Sequence, residues 1–252
     1  MRPARAVVAI ARALNRSPKE FAKSPNHFLA YKAKETTDSP AMRRGRLIHK
    51  LVLEADAFAK EFAVAPTCDR RTKVGKELWH DFEFFCTNNN ITPVTQQEYM
   101  EADAVARAIE KNKVSRDLLR SCRHFEQHIE GDIFGIEFHG YVDAMGDCLV
   151  DLKTTQAADP DAFKRTIINN KYYLQAAIYC HLTGIERFLF IAAETASPYN
   201  VAVYELSSDW FTIGQHYLET YIEQFKRWVE EGQPACSYVS EVKTLTPPSW
   251  ML

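Results

Sequence analysis

The fold is decided by two short runs in the middle of the chain, Tyr141-Val-Asp-Ala-Met145 and Leu149-Val-Asp-Leu-Lys153. Residues two apart in a β-strand share a face. Asp151 and Lys153 therefore point the same way, while the apolar residues that alternate with them point into the core. The two runs predict adjacent strands that carry a carboxylate and an ammonium group side by side.

Whether Asp143 joins that face depends on the length of the turn between the two strands. A two-residue turn at Gly146-Asp147 would place its carboxylate on the opposite face. A three-residue loop at 145–147 would place it beside Asp151 and Lys153, and three-residue hairpin loops that contain Gly are common. We therefore expect the three-residue loop and a shared face.

Helical patterns surround these strands. Ser24-Pro25 has the sequence of an N-cap followed by Pro at the first helical position, which predicts a helix to about Lys34. Ile48, Leu51, Val52 and Ala55 recur at helical spacing and predict one face of a second helix. Further helices are predicted at about 74–88, 96–120, 159–183 and 208–231.

Strands are predicted over 123–154, with turns at Gly131-Asp132 and Met145-Gly146-Asp147, and again at 186–194 and 200–206. This order of elements favours an α/β (α+β) fold with helices packed on a central mixed sheet. We expect a single domain over 24–252. A basic, Ala-rich extension at 1–23, predicted to be helical, precedes it.

The charge of the chain is unevenly distributed. The 252 residues hold 31 Lys/Arg and 33 Asp/Glu, a formal charge of −2, and 46% of them are hydrophobic, which excludes a disordered chain. Residues 1–50 hold 12 basic and 3 acidic side chains, and the remainder hold 19 and 30. A balance of +9 followed by −11 points to a polyanionic partner, so the near-neutral sum does not exclude nucleic acid.

The six cysteines show no metal-binding spacing. The closest two, Cys68 and Cys86, are 18 residues apart, and no CxxC is present. The sequence also contains neither a secretion signal nor an apolar run of membrane-spanning length. These features predict a cytoplasmic protein with reduced thiols and no membrane partner.

Two carboxylates and a lysine at neighbouring strands suit a hard divalent cation. Mg²⁺ binds one or two carboxylates, lowers the pKa of a bound water and stabilises charge on a phosphodiester. The lysine can orient the attacking hydroxide or neutralise charge in the transition state. Taken alone, the motif is also compatible with a surface ion pair. His49, on the predicted second helix, and Tyr172, Gln175 and Tyr179, at i, i+3 and i+7, are further candidates.

In combination these residues resemble the PD-(D/E)XK nucleases, and within them the RecE-type exonucleases (exonuclease VIII). The resemblance extends over roughly residues 20–250. Its motifs are Gly45-x-x-x-His49, Asp143, Asp151-Leu-Lys153-Thr-Thr and Tyr172-x-x-Gln175. It implies a restriction-endonuclease-like core and a metal-dependent 5′→3′ exodeoxyribonuclease of a bacterial or phage-infected cell. Such an enzyme degrades one strand of linear duplex DNA and leaves 3′ overhangs for recombination by strand annealing.

The resemblance also implies roles and partners. It assigns one or two Mg²⁺ ions, with Mn²⁺ possible, to His49, Asp143, Asp151 and the Leu152 carbonyl. Lys153 is then the catalytic lysine, Gln175 and Tyr172 position DNA or the nucleophile, and Glu126 is a further acidic catalytic residue. The implied partners are a RecT-like single-strand annealing protein and further copies of the chain in a ring-shaped tetramer or trimer.

Basic clusters are predicted to contact DNA. Arg44 and Arg46 lie beside His49, and Arg70 and Arg71 form a second cluster; arginine suits phosphate geometry. Three alternatives stay open: a PD-(D/E)XK endonuclease, a Cas4-like nuclease, and a catalytically silent DNA-binding module on the same fold. The scattered cysteines disfavour the iron–sulfur cluster of a Cas4-like enzyme. The intact acidic residues and lysine disfavour the silent module.

Overall fold

The computed structural model describes residues 18–33 and 39–232, together with Pro234, Val242 and residues 244–247. Most of the extension predicted at 1–23 lies outside them, so its separation from 24–252 stays a prediction. Helix α1 is Pro18–Phe21 and helix α2 is Pro25–Ala33. Ser24 caps α2 as expected, since its Oγ accepts the backbone N–H of His27 at 3.2 Å.

The segment before the central sheet is mainly helical. It contains α3 (Pro40–Leu53), a 3₁₀ turn (Ala55–Ala57), α4 (Phe58–Glu61), β1 (Phe62–Val64), α5 (Lys73–Asn88), β2 (Thr92–Val94), α6 (Gln96–Lys111) and α7 (Lys113–Ser121). Strands β1 and β2 form a parallel pair. The single helix predicted at 96–120 is divided at Asn112, whose side-chain oxygen accepts the N–H groups of Val114 and Ser115 and so starts a new helix.

The central sheet has the order β3-β4-β5-β6-β7, with β5 and β6 parallel and the other neighbours antiparallel. Its strands are His124–Ile133, Ile136–Met145, Leu149–Thr155, Phe188–Glu194 and Val201–Glu205. Between and after them lie α8 (Pro160–Asn170), α9 (Tyr172–Thr183) and α10 (Ser208–Glu230). This mixed sheet flanked by helices confirms the predicted fold class. No helix within the described ranges is both long and apolar enough to cross a bilayer.

Two further predictions about the course of the chain are wrong. Gly131-Asp132 is not a turn but part of β3; the chain reverses at Phe134 and Gly135, which have φ of 51° and 79°. The carboxylate of Asp132 accepts the N–H of Gly135 at 2.8 Å and fixes that turn. The helix predicted at 159–183 breaks at Lys171, whose φ of 54° is left-handed.

Helices cover the sheet on both faces, and each face has its own core. On one face α1, α2, α8, α9 and α10 surround a core rich in aromatic side chains, including Phe28, Phe163, Phe190 and Phe225. On the other face α3 and α6 pack against the sheet through aliphatic side chains such as Ile48, and β1 and β2 contribute to the same core. Along β5, Leu149 joins the first core, while Val150 and Leu152 join the second. The charged residues of β5 therefore lie between two well-packed layers.

Candidate active site

The candidate site lies where β4 and β5 separate. These strands pair only through Ala144↔Val150 and Met145↔Leu149. The connecting loop is therefore 146–148, three residues long but one residue later than predicted, so the expected parity is retained. The Asp143 carboxylate bridges the gap beyond these pairs, because its Oδ2 accepts the backbone N–H of Leu152 at 2.6 Å. Asp143 is thus fixed against β5 at Leu152, the residue that directly precedes Lys153.

Asp151 is held by a lysine and an amide. Its Oδ1 accepts the side-chain N–H of Gln175 at 2.7 Å, and its buried Oδ2 lies 2.6 Å from Lys153 Nζ as an ion pair outside hydrogen-bond geometry. Lys153 also donates to Gln175 Oε1 at 3.1 Å, and its Nζ lies 4.6 Å from the centre of the Tyr172 ring. The strand pair and helix α9 therefore converge on one charged network.

A second group of side chains lies beside this network. Among the described residues, His49, Glu126 and Asp143 each offer one ligand atom, and the three atoms lie within 4.8 Å of one another. His49 Nδ1 is 3.6 Å from Asp143 Oδ2, and the His49 ring also hydrogen-bonds to the backbone of Leu152. The backbone group that accepts a hydrogen bond from the His49 ring is the Leu152 carbonyl. The resemblance counts this carbonyl among the metal ligands.

Glu126 reaches this group through an unusual backbone conformation. Its φ is 47° although it is the third of the ten residues of β3, and a strand residue normally has negative φ. The pairs Phe125↔Ala144 and Gln127↔Val142 flank it, and Glu126 and Asp143 themselves are skipped in the ladder. Left-handed backbone at a non-glycine residue costs about 1–3 kcal/mol and is typical of functional sites.

The electrostatics of the site are those of crowded acidic groups. Burial and the charge of Asp151 raise the pKa of Asp143 well above its usual range, and burial and the charge of Glu54 raise the pKa of Glu126. Burial lowers the pKa of His49. Burial also acts to lower the pKa of Lys153, but the charges of Asp151 and Asp143 outweigh it and raise that pKa.

This donor set fits a divalent cation. Two carboxylate oxygens and one imidazole nitrogen converge on a small volume, where burial raises the pKa of both carboxyl groups. Carboxylates suit Mg²⁺ or Mn²⁺, and the imidazole is a ligand that Mn²⁺ accepts readily. The atoms that would hold the ion belong to His49, Glu126 and Asp143, and Asp151 lies near enough for its charge to act on Asp143.

The predicted DNA-binding arginines are engaged with protein groups. Arg44 lies 4.0 Å from Glu101, and Arg46 lies 3.9 Å from Glu61. The guanidinium of Arg70 stands 4.1 Å from the centre of the Trp79 ring, and the guanidinium of Arg71 donates two 3.0 Å hydrogen bonds to Asp69. Arg44 and Arg46 lie on α3, the helix of His49. Within the described ranges, neither Arg70 nor Arg71 forms a hydrogen bond or ion pair with the acidic group.

Tyr179, a candidate from its spacing to which the resemblance assigns no role, joins the same network. It hydrogen-bonds to the side chain of Gln175, and Gly140 on β4 leaves room for its ring, since a Cβ there would lie 2.8 Å from it. The i, i+3, i+7 spacing from Tyr172 was the available signal. The close approach to Gly140 has no such signal in the sequence, because it depends on how α9 packs on the sheet.

The sheet and the charged site together define a PD-(D/E)XK-like nuclease fold. The chain belongs to the family described as "PDDEXK-like domain of unknown function (DUF3799)", whose model matches residues 17–242. This confirms the predicted superfamily. No curated protein matches the chain.

The solved structures that match the chain include two at 16% and 17% sequence identity. The crystal structure of a candidate exonuclease from Eubacterium rectale aligns with a TM-score of 0.57 and 16% identity over 92% of this chain and 84% of that one. The structure of SSO0001 aligns with a TM-score of only 0.31 and 17% identity over 73% of this chain and 87% of that one, too low to support an argument. The first similarity shows a shared fold.

Proposed function

We propose that the protein is a metal-dependent 5′→3′ exodeoxyribonuclease that degrades one strand of linear duplex DNA and leaves 3′ overhangs for recombination by strand annealing. The observation that carries the proposal is the convergence of Asp143, Asp151 and Lys153, with His49 and Glu126, on the gap between β4 and β5. The resemblance to RecE-type enzymes and the name of the Eubacterium rectale protein support exonuclease over other nuclease activities.

The residues of the site have different roles in the proposed hydrolysis of a phosphodiester. A bound Mg²⁺ or Mn²⁺ supplies Lewis-acid stabilisation and a more acidic water. The carboxylates of Asp143 and Glu126 and the His49 ring would hold that ion. Lys153 stabilises negative charge on the phosphate, since it is a buried ammonium group fixed by Asp151 and Gln175. Gln175 and Tyr172 fix the direction of the Lys153 side chain.

The test is digestion of linear duplex DNA labelled separately at the 5′ and 3′ ends, with Mg²⁺ or with EDTA. We expect release of the 5′ label that requires the metal and that Asp151→Ala abolishes. Asp147→Asn is a matched control, because Asp147 is exposed on the neighbouring loop, where it forms an ion pair with Arg123 at 3.3 Å. That variant should digest DNA at the wild-type rate.

Other outcomes would identify the alternatives. Cleavage of closed circular DNA would favour an endonuclease. DNA binding without turnover would favour the silent module. A Cas4-like enzyme would contain iron and sulfide after purification; within the described residues, no cysteine belongs to a group that could hold a metal.

The proposed partners follow from the same activity. They are linear double-stranded DNA, a RecT-like annealing protein that receives the 3′ strand, and further copies of the chain in a ring. Support for a ring comes from apolar side chains left exposed on α5, among them Val74 and Phe84, which are 73% and 63% exposed. Light scattering would measure the assembly, and co-purification with a RecT-like protein would test the second partner.

A further inference from the structure

Gly45 lies at a position where packing against the described residues does not require a glycine. It lies inside α3, and glycine is among the least favourable residues in a helix interior. It is not among the glycines with positive φ. Among the described residues, a Cβ built on Gly45 would meet nothing nearer than the hydroxyl of Thr154, at 4.0 Å, which is an ordinary contact distance. Alanine would therefore fit the folded chain.

Other glycines of the chain show what a packing requirement looks like. A Cβ on Gly214, inside α10, would lie 2.5 Å from the Tyr173 carbonyl, and one on Gly75, inside α5, would lie 2.0 Å from the Asp69 carbonyl. Those two helices need a glycine in order to pack. The absence of a side chain at Gly45 must have another use.

The location of Gly45 indicates that use. Residues i and i+4 lie on the same face of a helix, so Gly45 faces the same way as His49, one turn before it. Across from it, Thr154 follows Lys153 on β5 and is half-buried. The Thr154 hydroxyl forms no hydrogen bond within the described part of the chain. Bare helix backbone and an unused hydroxyl thus border the candidate metal site.

We propose that Gly45 and Thr154 form a recess for a phosphate of the DNA backbone next to the one that is cleaved, with the Thr154 hydroxyl donating a hydrogen bond to a phosphate oxygen. An acceptor oxygen lies about 2.7–2.8 Å from a hydroxyl. On the Gly45 side of Thr154, such an oxygen would overlap a methyl group at residue 45, whose carbon would be 4.0 Å from the same hydroxyl. Glycine leaves that volume open.

This inference rests on the proposed function and names a contact of its substrate. The contact is to phosphate, so it carries no sequence preference. It also differs from the predicted arginine contacts, because Arg44 and Arg46 already face Glu101 and Glu61.

The Gly45→Ala variant distinguishes a phosphate-binding role of Gly45 from a role in the stability of the fold. We expect its midpoint of urea unfolding to equal or exceed that of the wild type, and the stabilisation by added Mg²⁺ to be unchanged. Gly214→Ala is the contrasting variant and should lower the midpoint. Fluorescence anisotropy with a labelled duplex in EDTA, where no cleavage occurs, should show DNA affinity at least tenfold weaker for Gly45→Ala.

Thr154 variants test the hydroxyl. Thr154→Val removes the donor with nearly unchanged shape and should weaken DNA binding about tenfold, because hydrogen bonds to charged groups are among the stronger ones. Thr154→Ser keeps the donor and should bind within twofold of the wild type. Wild-type affinity in both Gly45→Ala and Thr154→Val would overturn the recess while leaving the nuclease intact. A wild-type protein that neither binds nor cleaves DNA would overturn both proposals.

Discussion

Replacing Asp143 by asparagine should stabilise the protein in the absence of metal while abolishing its activity. The substitution preserves the shape of the side chain, and an asparagine oxygen can still accept the N–H of Leu152, now at 2.6 Å from Asp143 Oδ2. It removes one negative charge from a buried group that contains Glu126 and faces Asp151. The repulsion relieved should exceed the interaction lost with His49.

The size of the effect follows from the spacing. Ligand atoms of Asp143 and Glu126 lie within 4.8 Å. Coulomb's law at an effective dielectric constant of about 20 gives roughly 3 kcal/mol of repulsion at that separation when both groups are ionised. Partial protonation and the neighbouring His49 reduce it, so we expect a gain of about 1–3 kcal/mol in the free energy of unfolding.

The pH dependence of that gain has a definite sign. Burial and the charge of Asp151 raise the pKa of Asp143, so the folded protein retains a proton that the unfolded chain releases near its ordinary pKa, about 3.9. Wild-type stability therefore falls as pH rises from that value to the folded-state pKa. The advantage of Asp143→Asn should be small near pH 4 and should grow with pH until the folded-state pKa is passed.

The assay is urea unfolding followed by tryptophan fluorescence between pH 4 and 8.5, in EDTA and in Mg²⁺. Mg²⁺ at tenfold excess over its Kd should stabilise the wild type by about 1.4 kcal/mol and the variant far less. Asp147→Asn, on the exposed loop, should change stability by no more than about 0.5 kcal/mol. A less stable Asp143→Asn in EDTA, or equal stabilisation of both proteins by Mg²⁺, would refute the reasoning.

Three further predictions concern the surroundings of the site. Asn112→Ala removes the cap that its oxygen gives Val114 and should lower the free energy of unfolding by about 1 kcal/mol in urea, with kcat unchanged; an altered kcat would contradict a purely structural role. Gly140→Ala would place a Cβ 2.8 Å from the ring of Tyr179 and should lower kcat about tenfold. Stabilisation by Mg²⁺ should persist in that variant, and its loss would place Tyr179 in the metal site instead. Phe84→Glu puts a charge on the exposed face of α5 and should lower the mass measured by light scattering, whereas an unchanged mass would show that α5 lies outside any subunit contact.

The sequence predicts most elements of this fold because their signals are local. Periodicity and caps place α2, α5 and α10 to within a residue or two. The errors arise where one residue changes the backbone without interrupting the hydrophobic pattern. Asn112 and Lys171 each divide a continuous helical pattern, by a side-chain cap and by a left-handed φ of 54°.

The site could be predicted only in part. Strand parity brings Asp143 near Asp151, but parity assumes a regular strand, and β4 is not regular at this point. Val142 belongs to the core on one face of the sheet and Ala144 to the core on the other, although residues two apart normally share a face. The inversion occurs at Asp143, opposite the positive φ of Glu126. The hydrophobic periodicity of the sequence does not predict this inversion, because the inversion depends on tertiary packing on both faces of the sheet.

The charge state of Lys153 restricts its chemistry. A lysine buried alone would lose its proton readily and could serve as a general base. Here burial is opposed and outweighed by Asp151 and Asp143, which raise the pKa of Lys153. The group is therefore an ammonium ion at neutral pH and has no lone pair with which to take a proton from water. The sequence leaves two roles open to the lysine, which are to orient the attacking hydroxide and to neutralise charge in the transition state. Both roles use that positive charge. Asp151 maintains it, so loss of Asp151 removes more than a carboxylate from the site.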